Sequence, residues 1–184
     1  MSGRPRVVVV GGAPGAGKTV LAERLSGSLG LPLLAKDRIK ESLMEALGVP
    51  DLPTQRRIGN AAYRVLYQVA NALLDSGIGC VIESNFVAGQ SEAELRTIVR
   101  RGRSVQMVCV CDEALRRIRY ERRARSGGRH PGHLDEAVLT EWAARPAHLH
   151  GPLDLEVPVL VVDTSDGYRP SFDELLAFAG GAAS

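Results

Sequence analysis

The chemistry-bearing residues begin with Gly12-Ala13-Pro14-Gly15-Ala16-Gly17-Lys18-Thr19, which fit the spacing G-x-x-x-x-G-K-[ST]. That spacing makes a cradle for phosphates. Several backbone N–H groups must point at one spot, so the chain curls tightly, and Gly12, Gly15 and Gly17 permit the curl and keep Cβ atoms away from the ligand. The helix that follows adds its N-terminal dipole and free amides. Lys18 is placed to reach the β- and γ-phosphates as a point charge, and Thr19 to ligate Mg²⁺ through its hydroxyl.

Further along, Asp37 follows a short apolar segment, where its carboxylate can accept the proton of an attacking hydroxyl. It can also cap the next helix, and the two roles are compatible. Arg38 and Lys40 either hold groups of an acceptor or are solvated. Glu83 and Asn85 stand at the end of another apolar run, Cys80–Phe86. Glu83 can hold the water shell of Mg²⁺ or the acceptor, and Asn85 either contacts the acceptor or forms a turn. Residues 113–133 hold seven arginines (116, 117, 119, 122, 123, 125 and 129) against Glu113 and Glu121, a basic density suited to a triphosphate. Arg119 and Arg123 are spaced i, i+4 and share a helix face, with Arg116 one turn earlier. His130 and His133, in a Gly-rich loop, lack cysteine or carboxylate partners at metal-ligand spacing; they are lid-tip contacts to acceptor or phosphates, or plain loop.

These residues need a sheet to hold them. Val7-Val8-Val9-Val10 reads as a buried parallel strand directly before the glycine loop, and Leu21, Leu25 and Leu29 recur one turn apart in the helix after it, with Gly30 as its C-cap. Leu31–Ala35 is a second strand. A helix with Ile39, Leu43 and Leu47 on one face follows, stopped at Gly48-Val49-Pro50. Residues 55–76 form a long helix with Ile58, Ala62, Val65, Leu66, Val69 and Leu73 on its stripe. Tyr63 and Tyr67 either wall a cleft or pack half-buried. Ser91 and Glu94 have capping-box spacing at the next helix start. Val105–Cys111 and Val157–Asp163 are the remaining strands. Between them run an arginine-rich helix capped by Asp112 (113–125), a glycine loop and a helix over 135–144, together forming a lid over about 113–145. Ser171 caps a final helix over 172–178. The phosphate loop, Asp37, Glu83 and Asn85 fall at the carboxyl ends of strands, where open parallel sheets bind ligands.

With 184 residues, 45% hydrophobic and 24% charged, the chain suits one α/β domain spanning 1–184. A net charge of +2 makes no global case for nucleic acid. Cys80, Cys109 and Cys111 form no C-x-x-C pair and read as buried reduced thiols, the pattern of a cytoplasmic protein. No apolar run reaches the roughly 18 residues of a membrane span. The tail over 180–184 reads as frayed.

With the phosphate loop, Asp37, Glu83 and the arginine lid in place, nearly the whole chain resembles one branch of the AAA-type, P-loop ATP-binding kinases: chloramphenicol phosphotransferase, zeta toxins, gluconate kinase and the kinase domain of polynucleotide kinase. The resemblance implies a P-loop NTPase three-layer α/β/α sandwich, with a five-stranded parallel sheet in the order 2-3-1-4-5. It implies ATP–Mg²⁺ as donor, a hydroxyl activated by Asp37, and Thr164-Ser165 against adenine. Ile82-Glu83-Ser84-Asn85 is similar to the Asp-Thr-Asn segment of polynucleotide kinases, with Glu for Asp. Lys40 stands where those enzymes carry an arginine. That change favours a small-molecule acceptor, such as an antibiotic, sugar or nucleoside, over a nucleic-acid end. On this reading Lys18, Asp37, Arg119 and Arg123 are catalytic. The loop 12–19, Arg119, Arg123, Thr164 and Ser165 bind the nucleotide, while Asp37, Lys40, Glu83, Asn85 and His133 meet the acceptor. A 5′-hydroxyl polynucleotide kinase and a regulatory ATPase without an acceptor are the rival readings.

Overall fold

A computed structural model describes residues 3–48, 51–126, 130–133, 139 and 147–181. Its sheet has five parallel strands in the order β2-β3-β1-β4-β5: β1 (Arg6–Gly12), β2 (Leu33–Ala35), β3 (Cys80–Glu83), β4 (Arg103–Val110) and β5 (Val159–Asp163). This is the expected order, and the architecture is that of a P-loop NTPase.

The layers follow from the alternation of side chains along a strand. All four valines of β1 are buried. Val7 and Val9 pack with Leu66, Ile82, Leu95 and Ile98 on one face, whereas Val8 and Val10 pack with Leu21, Leu25, Met107 and Leu175 on the other. The first face is covered by α3 (Leu52–Asp75) and α4 (Glu92–Val99), the second by α1 (Lys18–Leu29) and α6 (Phe172–Gly180). A strand buried on both sides has no polar face to spare, which is why β1 reads as an unbroken apolar run.

Strand register positions the site. Ala35 of β2 stands opposite Glu83 of β3, and Glu83 stands opposite Val10 of β1. β2 and β3 therefore end level, and β1 runs two residues further into the glycine loop, with neighbouring strands about 4.8 Å apart. Asp37, Glu83 and the glycine loop emerge side by side from that edge.

Several local expectations are corrected. β2 runs directly into α2 (Lys36–Leu47), whose N-cap is Ala35, so Asp37 lies inside the first turn and is not the cap. The inward positions of α2 are Lys36, Lys40 and Met44, and Leu47 is 69% exposed. The lysine stems are buried while their ammonium groups reach a cavity, as long amphipathic side chains allow. α3 starts three residues earlier than expected, because Asp51 caps it through Thr54 N (2.8 Å). Its buried stripe continues through Ala70 and Leu74, leaving Val65 and Val69 partly exposed. The Ser91 hydroxyl accepts from Val87 N at 3.2 Å and builds no capping box. Ser171 and Glu174 do build one, at the start of α6. Cys80 and Cys109 are buried free thiols, each pushed up to about 12 by burial, but Cys111 lies beyond β4 and is half-buried. Among the described residues no helix is long and apolar enough to cross a membrane. The expected helix over 135–144, Arg129, Val49-Pro50 and residues 182–184 lie outside the described residues.

Candidate active site

The glycine loop is fixed by its own neighbours. Gly12 and Gly15 have φ of 140° and 81°. A Cβ on Gly12 would stand 2.4 Å from the Cys109 carbonyl oxygen, and one on Gly15 would stand 2.4 Å from that of Arg116. These glycines hold the tight curl expected from sequence, and they also let the loop nest against β4 and α5 (Glu113–Arg125). α1 begins after Gly17 with no side-chain cap, so its first amides face the loop's concavity.

Lys18 Nζ lies 4.0 Å from Glu83 Oε1 and 3.5 Å from the Ala13 carbonyl. Thr19 Oγ1 donates to the same Glu83 oxygen at 3.3 Å. Burial pulls the Lys18 ammonium down, partly offset by Glu83. Burial pushes the Glu83 carboxyl up, opposed by Lys18. Each charge is unfavourable alone at this depth, and each is retained through the other.

Two cavities open from this point. The first, about 740 Å³, extends from Gly15, Lys18 and Thr19 past Arg119 and Arg122 to Thr164 and Tyr168. The second, about 390 Å³, is lined by Lys36, Asp37, Lys40, Tyr63, Asn85 and His133 among others. Lys18 and Arg123 line both, so the cavities meet between them.

The arginines of α5 divide their tasks. Arg116, 2% exposed, turns under the loop and donates to the Pro14 carbonyl at 3.2 Å. Arg119 spans to the loop after β5, donating to the carbonyls of Thr164 (2.8 Å) and Ser165 (3.2 Å). Thr164 in turn donates to the Ala16 carbonyl at 3.0 Å, closing a brace around the first cavity. Arg123 stands at the junction, its guanidinium 5.7 Å from the Tyr120 ring centre.

In the second cavity, Lys36 Nζ donates to Asp37 Oδ1 at 3.0 Å and lies 5.4 Å from the Tyr63 ring centre. Burial pushes the Asp37 carboxyl up. Lys36, Lys18 and His133 outweigh it, and the net result is well below the usual carboxylate range. Tyr63 OH pairs with Ser84 Oγ at 2.8 Å, and burial raises its hydroxyl to about 12, so it stays protonated. Tyr63 thus both packs on the core and lines the cavity. His133, in the short helical turn Pro131–His133, lines the cavity opposite α2 and α3. Its Nε2 sits 2.7 Å from Glu41 of α2, and its carbonyl accepts from Gln55 of α3 at 2.6 Å.

The AAA domain family AAA_33 matches residues 7–149, which hold the loop and nearly all of this lining. The chain belongs to that family. Its structure superposes on a candidate kinase from Chloroflexus aurantiacus J-10-fl with a TM-score of 0.85, at 31% identity over 98% of this chain and 100% of the other. A gluconokinase from Sinorhizobium meliloti 1021 aligns with a TM-score of 0.59 at 20% identity, over 98% and 95% of the two chains. The APS kinase of Mycobacterium tuberculosis, solved with AMPPNP and APS, aligns with a TM-score of 0.54 at 18% identity, over 96% and 95%. No curated protein matches by sequence.

In this AAA_33 domain the donor set fits Mg²⁺. A hydroxyl and a carboxylate oxygen 3.3 Å apart beside the phosphate cradle supply hard oxygen ligands, with the remaining positions left to water and phosphate. Among the described residues there is no cluster of three or more His, Cys, Asp or Glu side chains to hold a metal without a phosphate ligand.

Of the sequence-predicted site residues, Pro14, Gly15, Gly17, Lys18, Thr19, Asp37, Lys40, Asn85, Arg119, Arg123, His133 and Thr164 line the two cavities; Glu83, Ser165 and Ala16 bond to lining residues, and Gly12 and Ala13 shape the loop without lining either. Lys36, Gln55, Arg56 and Asn60 also line the second cavity and were not among the sequence candidates. Their signal is three-dimensional: α2 and α3 pack side by side, and neither helix alone shows which polar residues face the other. Lys36 has one sequence signal, lying four residues before Lys40 and so on the same face.

Proposed function

We propose that this chain is an ATP-dependent kinase that transfers the γ-phosphate to a hydroxyl of a small molecule. The observation that carries this reading is the pair of cavities meeting at Lys18 and Arg123, with a phosphate cradle in one and Asp37 in the other. A hydrolase or switch needs the first cavity alone. The kinase names of the structural relatives agree with this reading.

The donor triphosphate lies on the loop amides and α1, with Lys18 on its outer phosphates and the Arg119–Thr164 brace beside its base. Thr19 and Glu83 hold Mg²⁺, which when bound neutralises phosphate charge. Asp37 is a carboxylate throughout the working pH range because its pKa is depressed. It is therefore a weak base. Its main task is to hold and orient the acceptor hydroxyl, taking the proton late in a loose phosphoryl transfer. Arg123 at the junction balances the charge of the group in flight, and Arg119 keeps the nucleotide side assembled. His133 and Asn85 bound the acceptor, and closure by the lid excludes water.

The test is transfer of labelled γ-phosphate from ATP–Mg²⁺ in three parallel reactions. They contain a pool of small hydroxyl compounds, a 5′-hydroxyl oligonucleotide, or neither. Label on a small compound supports the proposal. Label on the oligonucleotide alone, or orthophosphate alone at a rate indifferent to any acceptor, contradicts it.

A further inference from the structure

The first cavity is bounded by a turn that closes on itself. Asp163, the last residue of β5, exchanges two backbone hydrogen bonds with Arg169, each 2.9 Å long. The enclosed residues include Thr164, Gly167 and Tyr168, which line the cavity. The leading polar groups of this turn are engaged within the protein. Thr164 N–H donates to the Val110 carbonyl at 2.9 Å, and Ser165 N–H donates to Asp163 Oδ1 at 2.8 Å. The Thr164 and Ser165 carbonyls accept from Arg119. These backbone groups hold the turn and the brace together, which turns them away from reading the edge of a base.

The aromatic member of the lining is Tyr168, and it is supported from outside the cavity. Arg24 of α1 sets its guanidinium 5.3 Å from the Tyr168 ring centre and 3.8 Å from that of Phe172, at the start of α6. The two rings lie 6.2 Å apart, inclined at 37°. Both pack on the core layer that holds Leu21, Leu25 and Leu175. A ring held by cation–π contact, a neighbouring ring and a closed turn is positioned before any ligand arrives, which lowers the ordering cost of stacking on it.

Adenine and guanine share the same fused rings and differ along one edge, where adenine presents an amino donor and guanine a carbonyl acceptor. Telling them apart takes a group of fixed donor or acceptor character at that edge, and a site without one discriminates weakly. Among the described residues, no carboxylate and no side-chain amide lines this cavity. Its polar side chains are ammonium and guanidinium donors, which suit the ring nitrogens of either purine, and hydroxyls, which can donate or accept.

We infer that the nucleotide site selects a purine and not adenine as such: the base stacks on Tyr168, and guanine is held as well as adenine. This rests on the placement of the nucleotide in the first cavity and sets the breadth of its donor. Stacking favours the two fused rings of a purine over the single ring of a pyrimidine, because dispersion grows with the area in contact.

The experiment is equilibrium titration of the full chain with ADP, GDP, CDP and UDP, each with Mg²⁺, and so needs no acceptor. The proteins are wild type, Tyr168→Leu and Tyr168→Met, which keep apolar packing without a ring, and Tyr168→Phe, which returns the ring. For wild type the ADP and GDP dissociation constants should agree within about fivefold, with CDP and UDP at least tenfold weaker. Tyr168→Leu and Tyr168→Met should raise the purine constants about tenfold and the pyrimidine constants less than threefold, so the purine preference shrinks. Tyr168→Phe should recover most of that loss. A gap between ADP and GDP wider than fivefold, in either direction, overturns the inference. So does a pyrimidine bound like a purine, a non-aromatic variant that keeps the wild-type preference, or Tyr168→Phe binding as weakly as Tyr168→Leu. Failure of all four diphosphates to bind wild type instead overturns the placement of the nucleotide, and the kinase reading with it.

Discussion

The two cavities are built in opposite ways. Around the first cavity, where we place the nucleotide, the chain supplies backbone: loop amides, the N-terminus of α1, and the Thr164 and Ser165 carbonyls clasped by Arg119. Around the second cavity, where we place the acceptor, it supplies side chains from two packed helices, Lys36, Asp37 and Lys40 from α2 and Arg56, Asn60 and Tyr63 from α3. A backbone site depends on a short, contiguous sequence and tolerates little variation, because a Cβ added at Gly12 or Gly15 would stand 2.4 Å from the carbonyl oxygen of another segment. A side-chain site can be rewritten one residue at a time without disturbing the sheet. One fold can thus keep its donor and change its acceptor.

If that division is right, substitutions should sort by cavity. Lys18→Met touches both cavities and should have the largest effect, lowering transfer about a thousandfold or more and weakening nucleotide binding, as read by single-turnover transfer and equilibrium titration. Arg119→Met opens the brace to Thr164 and Ser165. It should raise the nucleotide dissociation constant about tenfold while leaving the acceptor KM near wild type, so an effect on the acceptor KM alone would break the division.

Lys36→Met tests the acceptor side through pH. Among the influences on Asp37, burial raises its pKa and Lys36 is foremost among those that lower it. With Lys36 present, the acid limb of kcat/KM that belongs to Asp37 should lie below the ordinary value of 3.8. Without Lys36 the carboxyl protonates sooner as pH falls, and the limb should move upward by about one unit or more in a pH–rate profile. Tyr63→Phe removes the hydroxyl that pairs with Ser84 and should act least, raising the acceptor KM about threefold with no change in nucleotide affinity.

The same contrast explains what was legible in the sequence. The nucleotide side was readable because its motif is contiguous and flanked by a strand and a helix that announce themselves by periodicity. The strand order followed from resemblance, and the four valines of β1 gave the two-sided burial directly. The acceptor side was readable only as a region. Asp37 and Asn85 stood out because they follow strand ends, but on α2 only part of the expected stripe holds: Ile39 packs on the core and Leu47 is exposed, while Lys36 and Lys40 also turn inward. The helix there buries lysine stems beside a cavity, which an amphipathic pattern of apolar residues does not register. The glycine pattern was recognised for the right loop but for an incomplete reason, because the contact each Cβ would make lies 90 or more residues away in β4 and α5.

The most direct measurement is made on Asp37→Asn, which keeps the shape of the acceptor cavity and removes its carboxylate charge. Binding of AMPPNP–Mg²⁺ and transfer of labelled γ-phosphate to the acceptor are read on the same preparation. The account predicts nucleotide affinity within about twofold of wild type and transfer lowered by about a hundredfold to ten-thousandfold. Transfer at the wild-type rate, or nucleotide affinity falling in step with transfer, would contradict the assignment of donor and acceptor to separate cavities.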